Sequence, residues 1–400
     1  RDPKVERSTR CWGCTRPALL DYRMLSLEPL DADPTHLIAS LLCAGLAIIA
    51  WLRMRSRPGD AVGNCCGDPN CLRCFPRTEV LESNATALRR LVRLEPDLFK
   101  DMRDEIWTAV EDTISKRPMI ERRTKREEAG SETAPPLVAP QKGQDPTVFL
   151  LPGLEAVPWH DAETCRRGSV CSIRLWEALP APRDGPPVRT GGDIEALREG
   201  VGVMTKELRE YLARGPGRFT PFDPAVYERV ASADQSESAE WSSIYLFHQG
   251  VKQPVCAEHF PLTTDLLESR CSHLMAGRCG FGSVYFSRLV PNTKVTEHCG
   301  PTNVRLRCHI PIIVPGGDST GSYLSVGLPG VSERRVGWEI GTPLLFDDSF
   351  LHSAALAPST GPSGVDDDDG ARVVLIVDFW HPSLSRGDRN ALGVLYPPGS

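Results

Sequence analysis

No surplus of charge marks this 400-residue chain. Its formal net charge of −6 at pH 7 offers no basic field to hold a phosphate backbone, so nucleic acid is not an expected partner. No self-similar period of 20–50 residues runs through it either, which excludes a solenoid or propeller built from repeats. Long apolar runs are almost absent. The exception, Leu37 to Leu52 (LIASLLCAGLAIIAWL), is preceded by 36 residues and has no small-residue cleavage site, so it does not read as a removable signal peptide. With 24% charged and 40% hydrophobic residues, the chain can build one large domain with smaller extras.

Chemistry-bearing residues concentrate in the last third. His298 opens HCGPTNVRLRCH, which ends at His309; FDDSFLH closes at His352; and Arg372 opens RVVLIVDFWHP. Two histidines separated by a strand-rich segment, followed by an arginine heading an apolar strand, suit a jelly-roll oxygenase that holds iron and a keto-acid cosubstrate. Strand periodicity assigns the faces. Val304, Leu306, Cys308, Ile310 and Ile312 share one parity, and Arg305, Arg307 and His309 share the other, so a strand turns two guanidiniums and an imidazole to one side. A solvated edge strand would satisfy that pattern, but the position close behind a candidate ligand favours a polar barrel interior that attracts an anion.

Arg372 precedes Val373 to Val377, a run apolar on both parities and hence a buried strand. A guanidinium at its mouth needs a partner. Asp347, Asp348 or Asp378 could supply a structural ion pair. The distal carboxylate of a dicarboxylic acid such as 2-oxoglutarate could instead accept two parallel hydrogen bonds from the planar fork.

These blocks, with FLLPGL at 149–154 and Trp159, carry a resemblance. From Pro146 to the C-terminus the chain resembles the aspartyl/asparaginyl β-hydroxylase family of Fe(II)/2-oxoglutarate dioxygenases, and within it the membrane-anchored β-hydroxylase domain-containing branch. The resemblance implies a mainly β fold, a double-stranded β-helix of the jelly-roll or cupin-like kind, with the helical stretch Asp193 to Ala213 packed outside the barrel. It implies Fe(II) bound by His298 and His352, and 2-oxoglutarate held at its distal carboxylate by Arg372 with help from the Ser287 hydroxyl. His309 is implied as a further cosubstrate contact, and Arg307 as part of the same wall. The implied substrate is a peptidyl Asp or Asn hydroxylated at the β-carbon, in a protein partner such as one with EGF-like domains.

Two features depart from the wider superfamily. A facial triad places a carboxylate two residues after the first histidine, and here that position is Gly300. The namesake hydroxylases also have glycine there, so water is expected to complete the coordination, and an aspartate introduced at 300 should strengthen metal binding. Weak or absent metal binding would instead make the barrel an inactive pseudoenzyme, a binding module or a membrane adaptor. The second departure is the turn-rich, acidic insert APSTGPSGVDDDDG after His352, which reads as a lengthened hairpin tip, with Asp366 to Asp369 a solvated loop rather than a metal site.

The N-terminal part divides by composition into a tail at 1–34, a transmembrane anchor at 35–54, a Cys-rich juxtamembrane segment at 55–80, a helical segment at 81–116 and a linker at 117–145, ahead of the 146–400 domain. About 16 apolar residues give roughly 24 Å of helix, which flanking residues and snorkelling Arg53 and Arg55 extend toward bilayer thickness. Orientation signals conflict. Arg53, Arg55 and Arg57 place the following domain in the cytoplasm, whereas the glycosylation sequon Asn84-Ala85-Thr86 and the family resemblance place it in the endoplasmic reticulum lumen, as a single-pass type II protein. In 81–116, Leu88, Leu91, Leu94 and Leu98 form the expected apolar stripe. Among the 14 cysteines, Cys11 and Cys14 lie across the anchor from Cys65, Cys66, Cys71 and Cys74, so they cannot share one zinc ion. The second cluster is open to zinc, disulfide or palmitoyl readings, and among Cys256, Cys271 and Cys279 one pair is expected to brace the site entrance.

Overall fold

The structure is a computed structural model that describes residues 78–115, 143–160, 192–214, 219–230, 239–315, 321–358 and 370–399. The chain divides into two compact units, Arg1–Asp60 and Ala61–Ser400, and all described residues lie in the second. The expected anchor at 35–54 and the cysteines from Cys11 to Cys74 lie outside the described residues. Among the described residues no helix is long and apolar enough to cross a membrane.

The described residues form two antiparallel sheets. One runs β1 (Thr220–Pro221), β3 (Trp241–His248), β5 (Val284–Leu289), β12 (Arg372–Trp380), β7 (Arg305–Ile313) and β10 (Leu344–Phe346), with β4 (Val251–Lys252) paired to β3. The other runs β2 (Tyr227–Arg229), β6 (Thr293–His298), β11 (His352–Leu356), β8 (Tyr323–Val326) and β9 (Arg334–Val336). From β5 to β8 the chain changes sheet at every connection, so neighbours within a sheet are remote in sequence. The inner faces meet in one buried cluster: Trp241, Tyr285, Leu289, Val374 and Ile376 join Val295, Leu324, Val326, Ala354 and Leu356.

Every residue of β7 and β12 is buried, and the two parities have different surroundings. Leu306, Cys308, Ile310 and Ile312, with Val373, Leu375, Val377 and Phe379, face outward beneath α3 (Asp193–Arg214). That helix offers Ile194, Leu197, Met204 and Leu208, a stripe at helical spacing. It is fastened to α5 (Pro261–Arg270): the Glu207 carboxylate accepts from the Leu262 and Thr263 N–H groups at 2.9 Å each, capping donors that the helix start leaves unpaired. With the outer parity committed to apolar packing, Arg305, Arg307 and His309 of β7 and Arg372 and Asp378 of β12 turn to the barrel interior.

The segment expected as one helix is two. α1 (Thr78–Leu94) stops where Pro96 disfavours helical backbone at Glu95, and α2 (Glu105–Ser115) follows a short turn. The buried stripe is Leu81, Ala85 and Leu88, packed with Leu392 and Leu395 of α6 (Arg386–Leu395), whereas Leu94 and Leu98 are 62% and 43% exposed. Asn84 belongs to this interface: its Nδ2 donates to the Leu395 carbonyl at 3.0 Å. A glycan on that nitrogen would have to part the two helices, so the packing argues against the sequon being used.

Two further expectations are corrected. Cys256, in α4 (Val255–His259), is a free thiol, as are Cys271 and Cys279, and no pair of them braces the site. Cys256 Sγ donates to the Leu246 carbonyl at 3.1 Å instead. The insert after His352 is not a hairpin tip, because β11 pairs with β6 and β8 while β12 pairs with β5 and β7; the connection crosses from one sheet to the other. Its residues 359–369, Asp366 to Asp369 included, lie outside the described residues. Likewise only 143–145 of the expected linker is described, and there Gln144 already bridges to Phe350.

Leu88→Ala should cost about 2–5 kcal/mol in urea unfolding, because it empties a closed helix interface, whereas Leu94→Ala should stay within about 0.5 kcal/mol. Equal effects of the two would mean that α1 does not pack through the Leu81–Leu88 face.

Candidate active site

His298 ends β6 and His352 begins β11, and the register sets them directly opposite. Paired residues leave an antiparallel ladder on the same face, which brings the rings to 4.1 Å between centroids. Each Nδ1 lies 2.8 Å from the carbonyl two residues earlier, Thr296 O and Phe350 O respectively. A carbonyl only accepts, so each Nδ1 carries the proton and donates. In the neutral ring that leaves the lone pair on Nε2, the tautomer a metal ligand requires.

Gly300 is where a facial carboxylate would start, and the backbone there has no room for a side chain. A Cβ would meet the Asp348 carboxylate, with Oδ1 only 2.7 Å away. Among the described residues, no group of three or more His, Cys, Asp or Glu could hold a metal. The protein donors at this site are the two histidines. This crowding argues against the expectation that an aspartate at 300 would raise metal affinity.

Asp348 is fully buried and belongs to a four-residue charge network. Arg305 donates Nε to Asp348 Oδ1 at 3.1 Å and Nη1 to Asp378 Oδ2 at 3.0 Å. Arg307 donates Nε to Asp378 Oδ1 at 2.9 Å, and its Nη1 lies 3.1 Å from Asp348 Oδ2. Burial alone would raise the Asp348 carboxyl, but Arg305 and Arg307 outweigh it and hold it well below the usual carboxylate range. The expected anion-attracting face is thus largely neutralised from within: Arg307 lines the cavity, but its guanidinium is matched to two carboxylates.

Arg372 is different. It is 1% exposed, and its Nε and Nη1 have no hydrogen-bond partner. None of the three aspartates considered as ion-pair partners serves it among the described residues: Asp348 and Asp378 hold Arg305 and Arg307, and Asp347 accepts from Gln144 Nε2 and from the Ser349 N–H and Oγ. Burial pushes its guanidinium below the ordinary arginine range. Register places Ile376 opposite His309 and Val374 opposite Ser287, so both polar side chains line the wall that Arg372 heads. His309 is held well below the usual histidine range, first by burial and then by Arg372 and Arg307, so it is neutral; its Nδ1 has no partner. Ser287 Oγ accepts from Trp241 Nε1 at 3.0 Å, which leaves its own proton to donate.

All six of these residues, His298, His352, Arg372, Ser287, Arg307 and His309, line one cavity of about 800 Å³, solvent at its mouth included. The lining also includes residues that no motif marked: Phe222, Trp241, Tyr245, His248, Gln249 and Tyr285, most of them on β3 and β5 of the sheet that carries Arg372. A signal was present in WSSIYLFH, where Trp241, Ser243 and Tyr245 share one parity against Ile244 and Leu246, which reads as a polar aromatic face backed by an apolar one.

Two outcomes follow from this geometry. Gly300→Asp should lower thermal stability, since overpacking costs about 1–3 kcal/mol, and should give no gain in Mn(II) affinity; tighter Mn(II) at unchanged stability would show that Asp348 yields the space. The second concerns acid. Burial chiefly lowers His381, to about 3, with His160 adding to it. The folded chain leaves this ring neutral, while the unfolded chain protonates it below about 6.5, so its contribution is present above that pH and lost as pH falls, by roughly 2 kcal/mol at about pH 5. His381→Gln should therefore lose less unfolding free energy than wild type between about pH 7.5 and 5, and parallel losses would mean that His381 is charged in the folded state.

Residues 199–382 match the family described as aspartyl/asparaginyl beta-hydroxylase. Aspartate beta-hydroxylase domain-containing protein 2 of Xenopus tropicalis is 31% identical over 256 residues, covering 64% of this chain and 56% of that protein. Aspartate beta-hydroxylase domain-containing protein 1 of Bos taurus is 36% identical over 255 residues, again 64% of this chain and 56% of its own length. Aspartyl/asparaginyl beta-hydroxylase of Mus musculus is 33% identical over 247 residues, 60% of this chain and 29% of that protein. The chain thus spans little more than half the length of the first two. The matched segment runs from within α3 through β12 and contains every cavity residue described above, so the likeness to the aspartyl/asparaginyl beta-hydroxylase family covers the whole site.

Proposed function

We propose that this chain is an Fe(II)- and 2-oxoglutarate-dependent dioxygenase, with its two interleaved sheets forming a double-stranded β-helix around the site. The observation that carries the reading is Arg372, a buried guanidinium whose Nε and Nη1 have no partner, on one sheet of the cavity, with two histidines on the other sheet whose Nδ1 atoms are engaged by backbone carbonyls. The donors fit the group. Two neutral imidazoles bind a first-row divalent ion through nitrogen, and the planar fork of Arg372 matches a distal carboxylate.

When bound, iron and 2-oxoglutarate would supply reaction with O2, one oxygen atom entering succinate as CO2 leaves and the other entering a substrate C–H bond as hydroxyl. The residues of this chain bind and orient. Thr296 O and Phe350 O keep the Nδ1 proton on each ligand histidine, so Nε2 stays available to the metal. Trp241 occupies the acceptor side of Ser287 and turns the hydroxyl proton toward the carboxylate beside Arg372. His309 stays neutral, so it can donate a hydrogen bond without adding a second charge to the pocket. The aromatic wall of Phe222, Trp241, Tyr245 and Tyr285 limits water around the reacting carbon.

The substrate class we propose is a peptidyl Asp or Asn hydroxylated at the β-carbon, in a protein partner such as one with EGF-like domains; the family description supports it. The single-pass anchor at 35–54 is proposed on its uncharged apolar run, and the lumenal placement of the domain in the endoplasmic reticulum on the resemblance. One observation favours a second reading, a barrel kept as a binding module: the protein supplies two ligands where a facial triad supplies three. Succinate formation with Fe(II), 2-oxoglutarate and a peptide library separates the two.

His298→Ala and His352→Ala should each abolish high-affinity Mn(II) binding in anaerobic titration, and unchanged affinity would remove that histidine from the site. Arg372→Lys should weaken 2-oxoglutarate by about 10- to 100-fold in calorimetry on the Mn(II)-loaded chain while leaving Mn(II) affinity intact. Equal 2-oxoglutarate affinity would make Arg372 a structural residue and favour the binding-module reading.

A further inference from the structure

Arg372 keeps its place in the barrel without a carboxylate, and an aromatic face lies against it instead. Its Cζ is 4.6 Å from the centroid of the Trp338 ring. Trp338 is 9% exposed and belongs to the interior cluster with Leu344 and Phe346. It sits on the connection from β9 to β10, between the sheets, remote from every histidine motif. Gly341 fastens that connection to the end of β7: its N–H donates to the Pro311 carbonyl at 3.0 Å, and its φ of +75° makes the turn available mainly to glycine.

A carboxylate and an aromatic ring both stabilise a buried cation, but they leave different parts of it available. The carboxylates of Asp348 and Asp378 take in-plane N–H groups from Arg305 and Arg307. A ring attracts a guanidinium through its π face and accepts no in-plane hydrogen bond. Arg372 shows that second pattern, with Nε and Nη1 unpaired although they are buried.

We propose that Trp338 is the positioning residue of the carboxylate pocket: its ring holds the Arg372 guanidinium in place through one face, so that the N–H edge meets an incoming dicarboxylate. The inference rests on the reading of this cavity as a 2-oxoglutarate site. It concerns the distal end of the ligand only, which distinguishes it from a general packing role.

The test uses calorimetry on the full 400-residue chain loaded with Mn(II), comparing wild type with Trp338→Phe and Trp338→Leu. Two probes are titrated: 2-oxoglutarate, and pyruvate, a keto acid without a distal carboxylate. Trp338→Phe, which keeps an aromatic face, should stay within about 3-fold of wild type for 2-oxoglutarate, and Trp338→Leu should weaken it by about 10- to 30-fold. Pyruvate and Mn(II) affinities should be the same in all three proteins. Equal 2-oxoglutarate affinity in wild type and Trp338→Leu, equal losses in both variants, or a matching loss of pyruvate would overturn the proposal. Trp338→Met offers the same comparison should the leucine variant lose Mn(II) binding through misfolding. Failure of the wild type to bind 2-oxoglutarate would defeat the functional reading itself, and this inference with it.

Discussion

Inside the barrel, Asp348 and Asp378 each bind both Arg305 and Arg307, and the site depends on that closed exchange of charge. Two guanidiniums without partners at this depth would cost several kcal/mol each, and deleting one partner of such a network typically costs about 3–5 kcal/mol. The pairing holds β7 and β12 in register across their polar faces while apolar residues on the opposite faces pack under α3. It also fills the space beside Gly300, which is why a glycine is needed there and why no carboxylate stands at that position beside His298 and His352.

The same network gives Arg372 its meaning. An arginine in a barrel is not by itself an anion site; it becomes one when the surrounding carboxylates are engaged elsewhere. Asp348 and Asp378 serve the β7 arginines, Asp347 is held by Gln144 and Ser349, and Arg372 is left against Trp338 with in-plane donors unused. Neutral His309 beside it adds no second charge to that part of the cavity. Adjacent acids illustrate how local the control is: burial pushes Asp347 up to about 8, whereas paired arginines hold Asp348 far down.

Much of this was legible before the fold. Alternation from Val304 to Ile312 placed Arg305, Arg307 and His309 on one face, and the two-sided apolar run after Arg372 announced a fully buried strand, because strand geometry has a period of two whatever the partners are. The helix on the outer face was likewise visible between Asp193 and Ala213. The leucine stripe from Leu88 to Leu98 misled, since periodicity continues past a helix end that Pro96 imposes.

By itself, then, the sequence determined the parity of each strand, the identity of the histidine and arginine candidates, and the family that residues 199–382 match. Only the tertiary structure decided which carboxylate meets which arginine, that His298 stands opposite His352, that the Trp241–Tyr245 face lines their cavity, and that Trp338 lies against Arg372. The physical reason is range. Parity is a property of a few consecutive residues, whereas ion pairing and cavity walls arise between strands that the interleaved connections bring together from distant parts of the chain.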